Sequence, residues 1–272
     1  MNSKFKAIVN QFIPPVIFRL RKTNSDLSIS GNYVSWNQAT AASIGYDSEI
    51  ILNKTQAALL KVKNGEAVYE RDSVLFNETQ FAWPLLAGMM WVAAKSSGKL
   101  NVLDFGGSLG STYFQNRVFL ESLSEVHWNI VEQPRHVEVG KEFFEDERLK
   151  FFSSISDCLS ASQPNVVILS SVLQYLERPY KVLSDLMELD CEHIIIDRTP
   201  FWHGPADRLC IQHVPPSIYP ASYPIWILSK SRFLSEIRPK GFKLISEFES
   251  LDCLKGPVAL QYKGMIVVKS QK

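Results

Sequence analysis

The spacing of apolar residues changes near residue 99. Upstream it is helical: in "SEIILNKTQAALLKVKNG" Ile50, Ile51, Leu52, Ala57, Ala58, Leu59 and Leu60 recur at helical intervals, Asp47 or Ser48 offers an N-cap, and Gly65 supplies a stop. A second helix is predicted in "NETQFAWPLLAGMMWVAAKSSG", started or kinked by Pro84 and ended by Gly98. Residues 1–98 therefore read as a strand-poor helical extension or lid.

Downstream, short apolar runs alternate with helix-like stretches. "LNVLDF", "VHWNIVE", "LKFFSS", "NVVILS" and "HIIIDR" are strand candidates, and their nearly continuous Val, Ile and Leu content points to strands covered on both faces, hence a largely parallel sheet inside helices. "FKLISEFES" and "ALQYKGMIVVKS" are separated only by a loop, which suits an antiparallel pair at the sheet edge. Five β-α units and a closing hairpin make 99–272 an α/β domain.

Composition narrows the function. With 272 residues, 46% of them hydrophobic, the chain can build a large core, and 29 basic against 28 acidic residues give no field that would attract nucleic acid. Cys158, Cys191, Cys210 and Cys253 form no C-x-x-C pair, which argues against a zinc ribbon or a disulfide framework and for a reducing cytoplasm. No stretch has the length of a membrane span. Residues 1–22 mix Lys4, Lys6, Arg19, Arg21 and Lys22 with apolar side chains. The sharper reading of that segment is a peripheral foot on the inner membrane face; the plainer one, preferred here, is a short helix and a Pro14-Pro15 turn docked on the body.

The candidate chemistry starts at "LDFGGSLG". Gly106-Gly107-Ser108-Leu109-Gly110 spells a G-x-S-x-G nucleophile elbow, but such an elbow follows several strands, whereas the preceding hundred residues read as helical. The dinucleotide pattern G-x-G-x-x-G also fails, because its later glycines fall on Ser108 and Ser111. What fits is an acid and a glycine turn closing the first strand of a parallel sheet, where ligands sit beyond the strand ends. Gly106 and Gly110 leave room for close approach, and the next segment opens a helix whose free amides favour a polar ligand.

The run Asp104-x-Gly106-x-Ser108-x-Gly110 resembles motif I of the class I S-adenosylmethionine-dependent methyltransferases, with Ser108 in place of the middle glycine. The resemblance implies a Rossmann-like fold with a mostly parallel seven-stranded sheet and an antiparallel last strand. It also implies that Asp104 helps to hold the methionine end of the cofactor over Gly106, Gly107, Ser108 and Gly110, and that Glu132, with Gln133 beside it at the tip of the second strand, takes the ribose hydroxyls. Ser153, Ser154 or Asp157 would meet the adenine. "NVVILSSVLQYLERP" is similar to the stretch after the fourth strand in many such enzymes and places Ser170 and Ser171 beside the methyl donor, with Gln174 and Tyr175 facing cofactor or substrate. The blocks "GNYVSWNQATAASIGYDSEIIL", "YERDSVLFNETQFAWPLLAG" and "IDRTPFWHGPADRLCIQHVPPSIYPASYPIWILS" extend the likeness over residues 30–268 to a bacterial family of methyltransferases encoded with surface-polysaccharide biosynthesis enzymes.

Residues 198–229 are long for an α/β connection and rich in Pro, Tyr, Trp and His, so they are expected to cover a substrate site. They offer His203 and His213 as bases for a hydroxyl acceptor, and Arg198, with Tyr219, Tyr223 and the upstream Tyr175, as orienting or anion-binding groups; Asp207, Arg208 and Gln212 lie in the same loop, and Arg71 and Asp72 come from upstream. No compact metal-ligand spacing is present. The expected activity is methyl transfer to a small polar acceptor such as a sugar or nucleotide-sugar precursor. The alternative is a non-catalytic binding or assembly protein that keeps the fold and works through its basic, apolar start.

Overall fold

The computed structural model describes residues 27–45, 48–216, 220–252 and 254–270. The membrane-foot reading of 1–22 and the expectations for Tyr46, Asp47, Tyr219 and Cys253 lie outside them.

The parallel strands form where the apolar runs placed them: β4 (Lys99–Phe105), β5 (Glu125–Val131), β6 (Leu149–Phe152), β7 (Val166–Ser170) and β8 (His193–Trp202). They lie side by side in the order β6-β5-β4-β7-β8. β12 (Leu260–Lys269) pairs antiparallel with β8, and β11 (Phe242–Glu249) pairs antiparallel with β12. These seven strands have the directions expected of the Rossmann-like fold. Their interiors are apolar throughout because both faces are covered. Val166, Ile168 and Ile195 face one core cluster, and Val167, Leu169, Ile194 and Ile196 face the other.

The sheet is larger than expected, with ten strands. The segment 198–229 is no loop: β8 runs on to Trp202, and β9 (Arg208–Val214) and β10 (Ala221–Ser229) follow as a paired hairpin. β10 joins β8 in parallel through Leu228↔Phe201 and Ser229↔Trp202. Because β12 occupies the other edge of β8, β7 and β10 share one edge, with β10 taking over beyond the end of β7. Pro224 sits inside β10, tolerated because the edge away from β9 has no strand partner there. The outermost strand, β1 (Ser28–Tyr33), pairs with β9 and belongs to the supposed helical extension.

The rest of that extension holds α1 (Trp36–Ala42), α2 (Ser48–Lys63), a separate hairpin of β2 (Tyr69–Arg71) and β3 (Val74–Phe76), and α3 (Trp83–Lys95). Leu52 and Leu59 of α2 and Leu85, Met89 and Val92 of α3 share a core cluster with Val102, Ile130 and Ile195 of the sheet. A Cβ at Gly88 would come 2.8 Å from Ile195 Cδ1, so α3 lies flush on the sheet. The boundary expected at 98/99 is therefore no seam in the packing. α4 (Ser111–Leu120), α5 (Pro134–Phe143), α6 (Ile155–Ala161), α7 (Pro179–Met187) and α8 (Lys230–Ile237) complete the two helical layers.

Candidate functional site

Strand order reverses between β4 and β7, since β5 and β6 build outward on one side of β4 and β7 and β8 on the other. A cavity of about 300 Å³ opens at that point, beyond the carboxyl ends of both strands. Asp104, Gly106, Gly107 and Ser108 wall it from β4, and Ser170 and Ser171 from β7. The β2–β3 hairpin closes one side with Glu70 and Arg71, and the other carries Tyr175, Arg198, Gln212, Tyr223, Asp252 and Tyr262.

The glycine turn is built by close contact. Gly106 has φ +74°, and a Cβ there would lie 2.4 Å from Val172 Cγ2, in the segment that follows β7. Its amide donates to the carbonyl of Val131 at 2.9 Å, which seats the turn against the tip of β5. A Cβ on Gly107 would meet the Asp104 carboxyl at 2.5 Å. Asp104 is buried and accepts from Trp128 Nε1 at 3.0 Å. Burial pushes its pKa up to about 7; the Trp128 hydrogen bond opposes the shift and the charge of Glu132 adds to it.

On the hairpin, Glu70 is 1% exposed and accepts from Ser111 Oγ and from the Ser73 amide, both at 2.6 Å. Ser111 opens α4, so Glu70 is fastened to the end of the glycine turn. Burial raises its pKa to about 7 against the pull of both hydrogen bonds. Arg71, 9% exposed, lies over the Phe76 ring, and its Nη1 has no hydrogen-bond partner among the described residues. Asp72 and Ser73, the two residues of the tight turn, both have positive φ, 52° and 68°.

Opposite, Arg198 is held from both sides: its Nε donates to Asp252 Oδ2 at 2.6 Å and its Nη2 to Asp72 Oδ2 at 2.5 Å. Burial works against ionisation of Asp72, but Arg198 and then Arg71 outweigh it and hold its carboxyl below the usual range. Tyr175 donates to Gln212 Oε1 at 2.9 Å, and Gln212 Nε2 donates to Tyr223 at 3.2 Å. The buried hydroxyl of Tyr262 has no partner among the described residues. Six described residues other than glycine have positive φ, and five of them (Asp72, Ser73, Ser108, Ser171 and Arg198) line this cavity. Such conformations persist only where the surroundings impose them, and here they concentrate on the wall of one cavity.

The expected residues separate into two groups. Asp104, Gly106, Gly107, Ser108, Ser170, Ser171, Tyr175 and Arg198 lie together on the cavity wall. Gly110, with φ +100°, caps α4 just behind the turn. Glu132 and Gln133 follow β5 beside Gly106, and Glu132 Oε2 accepts from the Gln133 amide at 2.6 Å. Ser154 caps α6 by accepting from the Asp157 amide, so its hydroxyl is committed locally. His203 is exposed in the turn after β8, and His213, exposed on β9, bonds Ser30 Oγ at 2.8 Å. Neither histidine lines the cavity: strand alternation turns Gln212 and Val214 toward it and His213 away. No histidine is among the described residues around Ser108, so the elbow lacks its base. Asp207 ties Tyr180, the Ser229 amide and Arg232 together, and Arg208 stacks on Trp202. Sequence reasoning missed Glu70, Asp252 and Tyr262. The only local signal was an acid beside an arginine just before a tight turn.

No protein-family model matches the chain, and no curated protein matches it. Solved structures resemble it at low identity. The N-terminal domain of EvdMO1, crystallised in the presence of SAH and D-fucose, is 12% identical, with 84% of this chain and 98% of that one covered and a TM-score of 0.47. The [4+2]-cyclase SpnF is 12% identical over 89% and 100%, with a TM-score of 0.48. Magnesium protoporphyrin IX methyltransferase from Synechocystis PCC 6803, with bound SAM, is 14% identical over 69% and 79%, with a TM-score of 0.45. At these values the likeness carries no argument about this chain, whose fold is read from its own strand order.

Proposed function

We propose that the chain is an S-adenosylmethionine-dependent methyltransferase acting on a small polar acceptor whose reacting part is an uncharged, hydroxyl-rich group: a sugar, free or as the sugar end of a nucleotide-sugar or other polysaccharide precursor. The observation that carries this reading is the cavity at the switch point, floored by a glycine turn whose Gly106 and Gly107 contribute to its wall. The residues present fit the cofactor. Gly106 and Gly107 line the floor, Glu132 stands at the strand tip next to the turn, and Ser170 and Ser171 face the same space. When bound, the cofactor supplies an electrophilic methyl group on a sulfonium sulfur.

The chain's own contribution is placement. Tyr175, Gln212, Tyr223 and Tyr262 offer neutral donors and acceptors suited to hydroxyls, and aromatic walls that exclude water. Arg198 is saturated by two carboxylates, so it braces the wall instead of binding an anionic acceptor. With both histidines elsewhere, the bases within the cavity for an acceptor proton are its carboxylates. Among the described residues no helix is long and apolar enough to cross a membrane; a cytoplasmic location belongs to this proposal and is tested by cell fractionation.

The direct test is calorimetric titration with S-adenosylhomocysteine, followed by incubation with labelled S-adenosylmethionine and metabolites fractionated by charge. Binding, and label in the neutral or sugar-nucleotide fractions, are the expected results. No binding, or a Glu132→Ala variant with wild-type affinity, would sink the reading.

A further inference from the structure

Among the described residues, three charge-bearing side chains face one small cavity without a salt bridge of their own. Glu70 and Asp104 are each 1% exposed, and their hydrogen bonds come from neutral donors: Ser111, Ser73 and Trp128. Arg71 is more than nine-tenths buried, with an orphaned Nη1 on the same wall. Burying charges costs several kcal/mol each unless they are paired. Elsewhere around the cavity the fold supplies such pairing, since Arg198 has two carboxylates. The unpaired set is therefore complementary to something absent from the protein itself, and it needs both signs at once.

We propose that Glu70 and Arg71, adjacent on β2, form a clamp for the α-amino-acid end of the cofactor, the guanidinium of Arg71 taking the α-carboxylate while Glu70 and Asp104 take the α-ammonium. The inference rests on the cofactor reading above and deepens it. An uncharged ligand would leave all three groups buried and unmatched, and a simple anion would leave the two acids so. An α-amino acid carries both charges within one small head. Because Glu70 is fastened to Ser111, the clamp sits over the glycine turn, where the methionine end would lie. The hairpin, hydrogen-bonded only to itself as a sheet, is thereby a cover locked by the ligand it covers. The raised pKa of Glu70 agrees: an arriving ammonium favours the carboxylate, so binding near pH 6 releases a proton to the buffer.

The experiment uses the full chain and three ligands: S-adenosylhomocysteine, its decarboxylated analogue, and 5′-methylthioadenosine, which lacks the amino-acid end. Arg71→Met should weaken S-adenosylhomocysteine about ten- to a hundredfold, the range for losing a charge-assisted hydrogen bond, and leave the other two ligands unchanged. Arg71→Lys should recover part of the loss. Glu70→Gln should weaken S-adenosylhomocysteine and the decarboxylated analogue alike, spare 5′-methylthioadenosine, and abolish the proton release seen when buffers of different ionisation enthalpy are compared. Wild-type affinity in Arg71→Met, or equal losses for all three ligands, would overturn the clamp while leaving the cofactor reading intact. Failure of the wild-type protein to bind S-adenosylhomocysteine would overturn both.

Discussion

Replacing Gly106 by alanine tests how tightly the turn is built. Two separate costs follow from its geometry. At φ +74° an L-residue pays about 1–2 kcal/mol for the left-handed conformation. The new Cβ also falls 2.4 Å from Val172 Cγ2, an overlap that forces one segment to move, at about 1–3 kcal/mol. Gly106→Ala is therefore expected to lose about 2–5 kcal/mol, read from urea midpoints at constant m. Only the second cost depends on Val172. Val172→Ala removes Cγ2 and leaves Val172 Cβ, 3.0 Å from the added carbon, as the nearest contact. The double variant should be more stable than the two single losses predict by about 1–3 kcal/mol. Strictly additive losses would refute the contact argument, and a Gly106→Ala protein of wild-type stability would refute both parts.

The buried acids give a pH dependence. Folded-state pKa values of about 7 for Asp104 and Glu70 mean that the unfolded chain holds fewer protons between about pH 4 and 7; their contribution is full below that window and lost as pH rises through 7. Stability of the ligand-free protein should fall across it by about 3–4 kcal/mol per acid, and Asp104→Asn or Glu70→Gln should flatten the urea-midpoint profile. Tyr262→Phe removes a buried hydroxyl that has no described partner, so the melting temperature should hold or rise, whereas KM for the acceptor should increase. His203→Ala and His213→Ala should leave kcat within about twofold, since neither side chain reaches the cavity; a pH profile that loses its acidic limb in either variant would contradict that placement. Ser108→Gly should stabilise the protein by about 1 kcal/mol by relieving φ 53°, with no loss of cofactor affinity, whereas a nucleophile at this position would make the change fatal.

The parallel core was legible because strands covered on both faces must be apolar at every position, which is a local signal. β1 and β9–β10 were not, for a reason visible in their residues. "SISGNY" has little intrinsic strand character and becomes a strand only when β9 is beside it, and the Pro and Gly that punctuate 198–229 read as loop, although Pro224 occupies an unpaired edge. The floor of the site was legible for the same reason as the core, since Asp104, Gly106 and Ser108 are contiguous. The histidines looked attractive by residue type alone, but the two-residue period of β9 sends His213 outward, and no sequence pattern fixed the register. Glu70 lies far along the chain from Asp252 and Tyr262, and only the topology brings them to one cavity.

The pairing of β1 with β9 also sets a timetable. Ser30 waits for His213, 183 residues further on, before its strand has a neighbour. At about 5–20 residues per second, the β1 segment waits about 10–40 s for its partner strand to be made. β1 is made well before the strand that completes it, and it takes its place in the sheet only after β9 has emerged.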